Sequence, residues 1–134
     1  MLLRFGLLFF TLTFFSSAVM AGESAVSEML STYQQQGASN FTADGVETLW
    51  NKKVMGPDGK ERSCATCHHS NLKLPGMHFK TGKVIEPMAA SVNPERYQSA
   101  KKIKKWFFRN CKWTWGRECT AQEKGNFLTY LESQ

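Results

Sequence analysis

The sequence predicts a small all-α domain, with few helices joined by long loops, and three observations lead there. Apolar residues recur at three- and four-residue spacing in four separate stretches. No stretch alternates convincingly as a strand. Between Ser70 and Asn93 the chain is rich in Gly, Pro and small residues and sustains neither period, as expected of a long loop wrapped around something.

The elements follow in order. Residues 1–21 of the 134 read as a secretory signal peptide: Arg4, the apolar run Phe5–Phe15, then the small-residue pattern Val19-Met20-Ala21. An apolar run of about eleven residues is too short for a bilayer, which needs roughly 20. Export to the periplasm with cleavage after Ala21 is therefore expected, with no stable membrane insertion. Residues 22–134 then form one domain, too short for two cores, which excludes a multidomain enzyme.

Val26, Met29, Leu30 and Tyr33 predict a first helix from Ser24 to Gln36, closed by Gly37-Ala38-Ser39-Asn40. Val46, Leu49 and Trp50 predict a second, before the Gly56-Pro57-Asp58-Gly59 turn. Pro94-Glu95 opens a third, with Ala100, Ile103, Trp106 and Phe107 on its apolar face and Lys101, Lys102, Lys104 and Lys105 opposite. Thr120-x-x-Glu123 is a capping box that starts the last helix, whose apolar face is Phe127, Leu128 and Leu131.

The formal net charge is +6, six basic residues fall within Lys101–Lys112, and no acid lies between Arg96 and Arg117. In an exported chain such a stripe suits an acidic protein or anionic lipid and makes nucleic acid the least expected partner. A solvated helix face is the plainer use of the four lysines; docking an acidic partner is the functional one.

The chemistry begins at Cys64-Ala65-Thr66-Cys67-His68, the attachment pattern of a c-type haem. Two thiols at this spacing add to the two vinyl groups of one porphyrin edge, and the adjacent imidazole becomes the fifth iron ligand. The competing readings are weaker. Cys111 and Cys119 lack the short knuckle spacing of structural zinc sites, no βαβ pattern surrounds the motif for a thioredoxin-like pair, and a plain disulfide leaves His68 without a role. In an oxidising compartment the two leftover thiols, Cys111 and Cys119, are expected to pair.

The sixth ligand decides what such a haem does. His69 is the chain neighbour of His68, His78 is ten residues on, and no Met occurs in residues 89–134, where an ordinary small cytochrome carries its distal Met. Asn110 lies three residues beyond Phe107 and seven beyond Ile103, on the apolar face of the third helix. Pattern alone leaves two uses for it, helix C-cap or ligand.

Three segments carry a resemblance: Ser63–His68; Thr81-Gly82-Lys83-x-Ile85-x-Pro87-x-Ala89-x-Ser91-x-x-Pro94-x-Arg96-Tyr97; and Lys105-Trp106-x-x-Arg109-Asn110-Cys111 with Gly116-Arg117-x-Cys119-Thr120. Over residues 44–134 the chain resembles the sphaeroides haem protein family. The resemblance implies a class I cytochrome c-like fold around one covalent haem c, held through Cys64 and Cys67 and ligated by His68. It also implies Asn110 as sixth ligand of ferric iron and a Cys111–Cys119 disulfide. On reduction the Asn leaves, oxygen, nitric oxide or carbon monoxide binds, and a dihaem cytochrome c supplies the electrons. A neutral amide is a hard, weak ligand that competes poorly for ferrous iron, in keeping with that implication.

The resemblance leaves catalysis open, because no second acid or base selects between oxygen reduction, nitric oxide chemistry and sensing. Met88 departs from the family pattern, and with Met77 it defines the alternative: an ordinary low-spin electron carrier with a permanent thioether ligand. Pro87 is the expected carbonyl acceptor for the free ring N–H of His68. Trp113 and Trp115, placed between the two cysteines, wall the distal pocket, form an exposed docking patch, or simply pack the loop against the helix.

Overall fold

The computed structural model describes residues 23–56 and 58–134; the expected signal peptide, residues 1–21, lies outside them. Helix α1 (Ala25–Gln35) starts at Ser24, whose side chain accepts from the Ser27 amide, and buries Val26, Met29 and Tyr33 on one face. The following loop lies across the last helix, where the Ser39 amide donates to Gln122 Oε1 at 3.0 Å and the Thr42 amide to Asn126 Oδ1 at 3.2 Å. Helix α2 (Val46–Asn51) turns Val46 and Trp50 inward.

Two small hairpins occupy segments expected to be strand-free. β1 (Val54–Met55) pairs antiparallel with β2 (Glu61–Arg62), and β3 (Gly76–Met77) with β4 (Val84–Ile85). Strands of two residues are too short for a period of two to register, so only the turn between β1 and β2 was legible. Between the hairpins lies α3 (Ala65–His68).

The third predicted helix is two elements. Pro94–Tyr97 forms a separate 3₁₀ turn, and Ser99, extended at φ −141°, caps α4 (Ala100–Trp115) by accepting from the Lys102 amide. Helix α4 runs on through Trp113 and Trp115, which therefore stand on a helix and not in a loop. It ends at Gly116, whose φ of +68° suits glycine and whose amide donates to the Lys112 carbonyl. Asn110 is thus an interior helix residue, and the C-cap reading of it gives way. Trp106, expected on the apolar face, is 50% exposed, with Lys105 and Arg109 over its ring. The inward stripe is instead Ile103, Phe107, Cys111 and Thr114. Lys101, Lys102, Lys104 and Lys105 are all exposed, as a solvated face requires.

Helix α5 (Ala121–Glu132) has the expected capping box: the Thr120 hydroxyl accepts from the Glu123 amide, and the Glu123 carboxylate from the Thr120 amide at 2.8 Å. Arg117 donates to both oxygens of the same carboxylate, at 2.8 and 2.7 Å. The carboxyl is consequently held below the usual carboxylate range, chiefly by Arg117.

Helices α1, α4 and α5 enclose one core cluster around Met29, Ile103 and Leu128. A second, around Trp50, Leu72, Met88 and Phe127, has Cys64, Ala65, Phe107 and Trp115 packed at its margin. The first cluster is scaffold and the second carries the site. Among the described residues no helix is long and apolar enough to cross a membrane.

Candidate functional site

Cys64 precedes the first turn of α3 and Cys67 lies within it, three residues on, so both free thiols project from one helical turn. Local hydrogen bonds define that turn: the Ser63 amide donates to Thr66 Oγ1 at 2.8 Å and the His68 amide to the Cys64 carbonyl at 3.1 Å. His69, at φ +66°, ends it. Burial pushes the Cys64 thiol up to about 12, so the unattached sulfur is neutral.

The helix is held from two sides. Trp50 Nε1 donates to the His69 carbonyl at 2.9 Å, and its ring lies 5.7 Å from that of His68. On the other side β3 runs against α3 so closely that a Cβ on Gly76 would fall 2.0 Å from the Cys67 carbonyl oxygen. Glycine is required there for lack of space.

Across from α3, α4 presents Asn110. Its Nδ2 lies 3.4 Å from His68 Nε2, bringing together residues 42 positions apart. Burial, with Arg96 second, lowers His68 to about 4, which keeps the imidazole neutral and its nitrogen lone pair available to a metal. A flip of the amide presents oxygen or nitrogen at the same place.

His68 Nδ1 is buried without a partner. The expected bond to Pro87 is not formed; the chain reverses after Ala89, and the Asn93 side chain donates to the Pro87 carbonyl at 3.1 Å. Of the two methionines considered as ligands, Met77 is 59% exposed on β3. Met88 packs in the core cluster with Leu72 and Trp50, and its carbonyl accepts from Tyr97 Oη at 2.6 Å.

Two thiols on one turn, a neutral imidazole directly after them, an opposing amide and a margin of Trp50, Phe107 and Trp115 fit a c-type haem in donor set and in apolar surroundings. Cys111 and Cys119 are disulfide-bonded with Cα atoms 5.6 Å apart, tying the last turns of α4 to the start of α5 directly beside Asn110.

Sequence reasoning missed three contributors. Arg62, 5% exposed, pairs with Asp58, donates to the Trp113 carbonyl at 3.0 Å and lies 4.4 Å over the Trp113 ring. Phe79, from the loop between β3 and β4, meets the same Trp113 ring, with centroids 5.7 Å apart. Gly76 makes the close approach described above. None stands at a periodic or motif spacing, and no local signal marked them.

Residues 36–131 match the family described as a domain of unknown function, DUF1924. The chain is 30% identical to the cytochrome c-type protein SHP of Cereibacter sphaeroides over 115 residues, 86% of this chain and 88% of that protein. It is 39% identical to cytochrome c'' of Methylophilus methylotrophus over 83 residues, 62% of this chain and 58% of that one. The structure of oxidized SHP, an oxygen-binding cytochrome c, superposes with a TM-score of 0.73 at 31% identity, covering 84% of this chain and all (100%) of that one. Oxidized cytochrome c'' of Methylophilus methylotrophus does so at 0.69 and 30%, over 80% and 92% of the two chains. A similarity that runs along nearly the whole of SHP, in sequence and in fold, makes this chain a member of the SHP family of c-type cytochromes, within DUF1924, with a class I cytochrome c-like architecture.

Proposed function

We propose that the chain is an exported, periplasmic monohaem cytochrome c, residues 22–134 after loss of the signal peptide, that binds a diatomic gas in its reduced state. The observation that carries this reading is the approach of Asn110 to His68 Nε2 at 3.4 Å, with an amide where an ordinary carrier places a thioether. The relatives' chemistry supports it: SHP is an oxygen-binding cytochrome c, and the cytochrome c'' solution structure concerns haem-ligand detachment.

In this reading Cys64 and Cys67 would hold one edge of the porphyrin through thioether bonds, and His68 and Asn110 would ligate its iron. A haem so held supplies an iron that takes or gives one electron and binds small neutral ligands when reduced. Because the Asn110 amide is a hard, neutral donor, it would favour Fe(III) over Fe(II), and redox state would set access to this side of the site. The electron donor is an acidic dihaem cytochrome c, and Lys101, Lys102, Lys104 and Lys105 of α4, exposed and not ion-paired among the described residues, offer it a docking face.

The test is the optical spectrum of the holoprotein, ferric and then dithionite-reduced, with and without carbon monoxide. A high-spin ferrous spectrum that shifts at once with carbon monoxide is expected, and in Asn110→Met a low-spin ferrous spectrum that responds slowly or not at all. A low-spin, unresponsive wild-type ferrous form would instead establish a permanent strong ligand and a plain electron carrier.

A further inference from the structure

The β3–β4 hairpin bridges the two sides of the site. Its base lies on α3, where Gly76 runs along the Cys67 carbonyl, and the loop at its tip places Phe79 on Trp113 of α4, with ring centroids 5.7 Å apart at 52°. Trp113 follows Asn110 by three positions, so it stands on the same face of α4, one turn toward the C-terminus.

The two rings are held unequally. Trp113 is clamped by Arg62, which lies 4.4 Å over the ring, donates to the Trp113 carbonyl at 3.0 Å and is itself buried against Asp58. Phe79 is 44% exposed, with Lys60 at 5.9 Å over its outer face. The turn that carries Phe79 is closed by local hydrogen bonds: the His78 amide donates to the Lys83 carbonyl at 2.8 Å, and the Lys80 and Thr81 amides donate to His78 Nδ1 at 3.3 and 3.2 Å. The turn can therefore tilt as a unit without losing its own bonds, while Trp113 stays in place.

We propose, resting on the ligand-binding reading above, that Phe79 and Trp113 form a gate that sets how fast a small uncharged ligand reaches the Asn110 side of the site. Phe79 is the moving part and Trp113 the fixed one. A gate of this kind slows entry and exit alike, because it touches the path and not the bound ligand, and so leaves affinity unchanged.

The experiment is flash photolysis of the carbon monoxide complex of the ferrous holoprotein, comparing wild type, Phe79→Ala and Phe79→Leu. In Phe79→Ala the association and dissociation rates are expected to rise together by roughly two- to tenfold, the factor that loss of one aromatic pair contact produces in an opening equilibrium. Phe79→Leu should fall between, and the equilibrium affinity and ferrous spectrum should match wild type. Wild-type rates in Phe79→Ala, or a change in one rate with affinity following it, would overturn the gate while leaving gas binding intact. If neither chain takes up carbon monoxide, the gate falls together with the gas-binding reading; uptake by Phe79→Ala alone at equilibrium would overturn the gate too, because a gate changes rates and not affinity.

Discussion

The two sides of the site are built in opposite ways. The α3 side is local: Cys64, Cys67 and His68 come from five consecutive residues, and one helical turn suffices to place them. The α4 side is assembled: Asn110 meets His68 from a helix packed against α1 and α5 and tied near its end by the Cys111–Cys119 disulfide, by Arg62 on the Trp113 carbonyl, and by Phe79 on the Trp113 ring. A permanently held cofactor suits the first design, since attachment is chemistry between neighbours. A ligand that must come and go suits the second, because several weak ties can define a position without making it the only one.

The largest effect belongs to the local side. Cys64→Ser with Cys67→Ser should abolish covalent haem entirely, read as loss of haem stain on a denaturing gel; retained stain would break the contrast at its root. On the assembled side, Cys111→Ser with Cys119→Ser should leave haem attached but cost about 2–3 kcal/mol of stability, as expected for a loop of about nine residues, measured by denaturant unfolding. A shifted ferric spectrum in that variant would sharpen the contrast, showing that the disulfide also positions Asn110.

Smaller effects test the same helix from its outer face and its C-terminal junction. Neutralising Lys101, Lys102, Lys104 and Lys105 to Gln should slow reduction by an acidic dihaem donor roughly tenfold at low salt and flatten the salt dependence; an unchanged salt slope would place docking elsewhere. Thr120→Ala should cost about 1 kcal/mol by removing the N-cap of α5. The junction also carries a pH dependence. Because Arg117 holds the Glu123 carboxyl low, its contribution is complete above the ordinary carboxylate pKa and is lost as pH falls through the lowered value. Glu123→Gln should therefore flatten the acid limb of stability against pH, and an unchanged limb would remove Glu123 from the account.

Legibility followed the same division. The attachment motif, the capping box of α5 and the apolar faces of α1 and α5 are statements about residues a few positions apart, which is the range over which periodicity and spacing carry information. Trp106 was misplaced on the apolar face for a reason of the same kind. Position 106 lies one turn from Ile103 and next to Phe107, yet the neighbours of α4 cover only the narrower stripe from Ile103 through Phe107 to Cys111, and Lys105 and Arg109 cover the indole from outside. Asn110 was found through a family resemblance, since its own neighbourhood suits a C-cap equally well until Gly116 is seen to hold that place.

The amino-acid sequence by itself supplied the attachment motif, the helical class and the pairing expected of the two remaining thiols, because each depends on bond reach or on the pitch of one element. Only the tertiary structure decided that the amide of Asn110 opposes His68, that Met77 is exposed, that Pro87 is engaged by Asn93, and that Arg62 and Phe79 converge on Trp113. Each of these joins segments far apart in the chain, where the partner is chosen by which surfaces can be buried together and no local pattern records the choice.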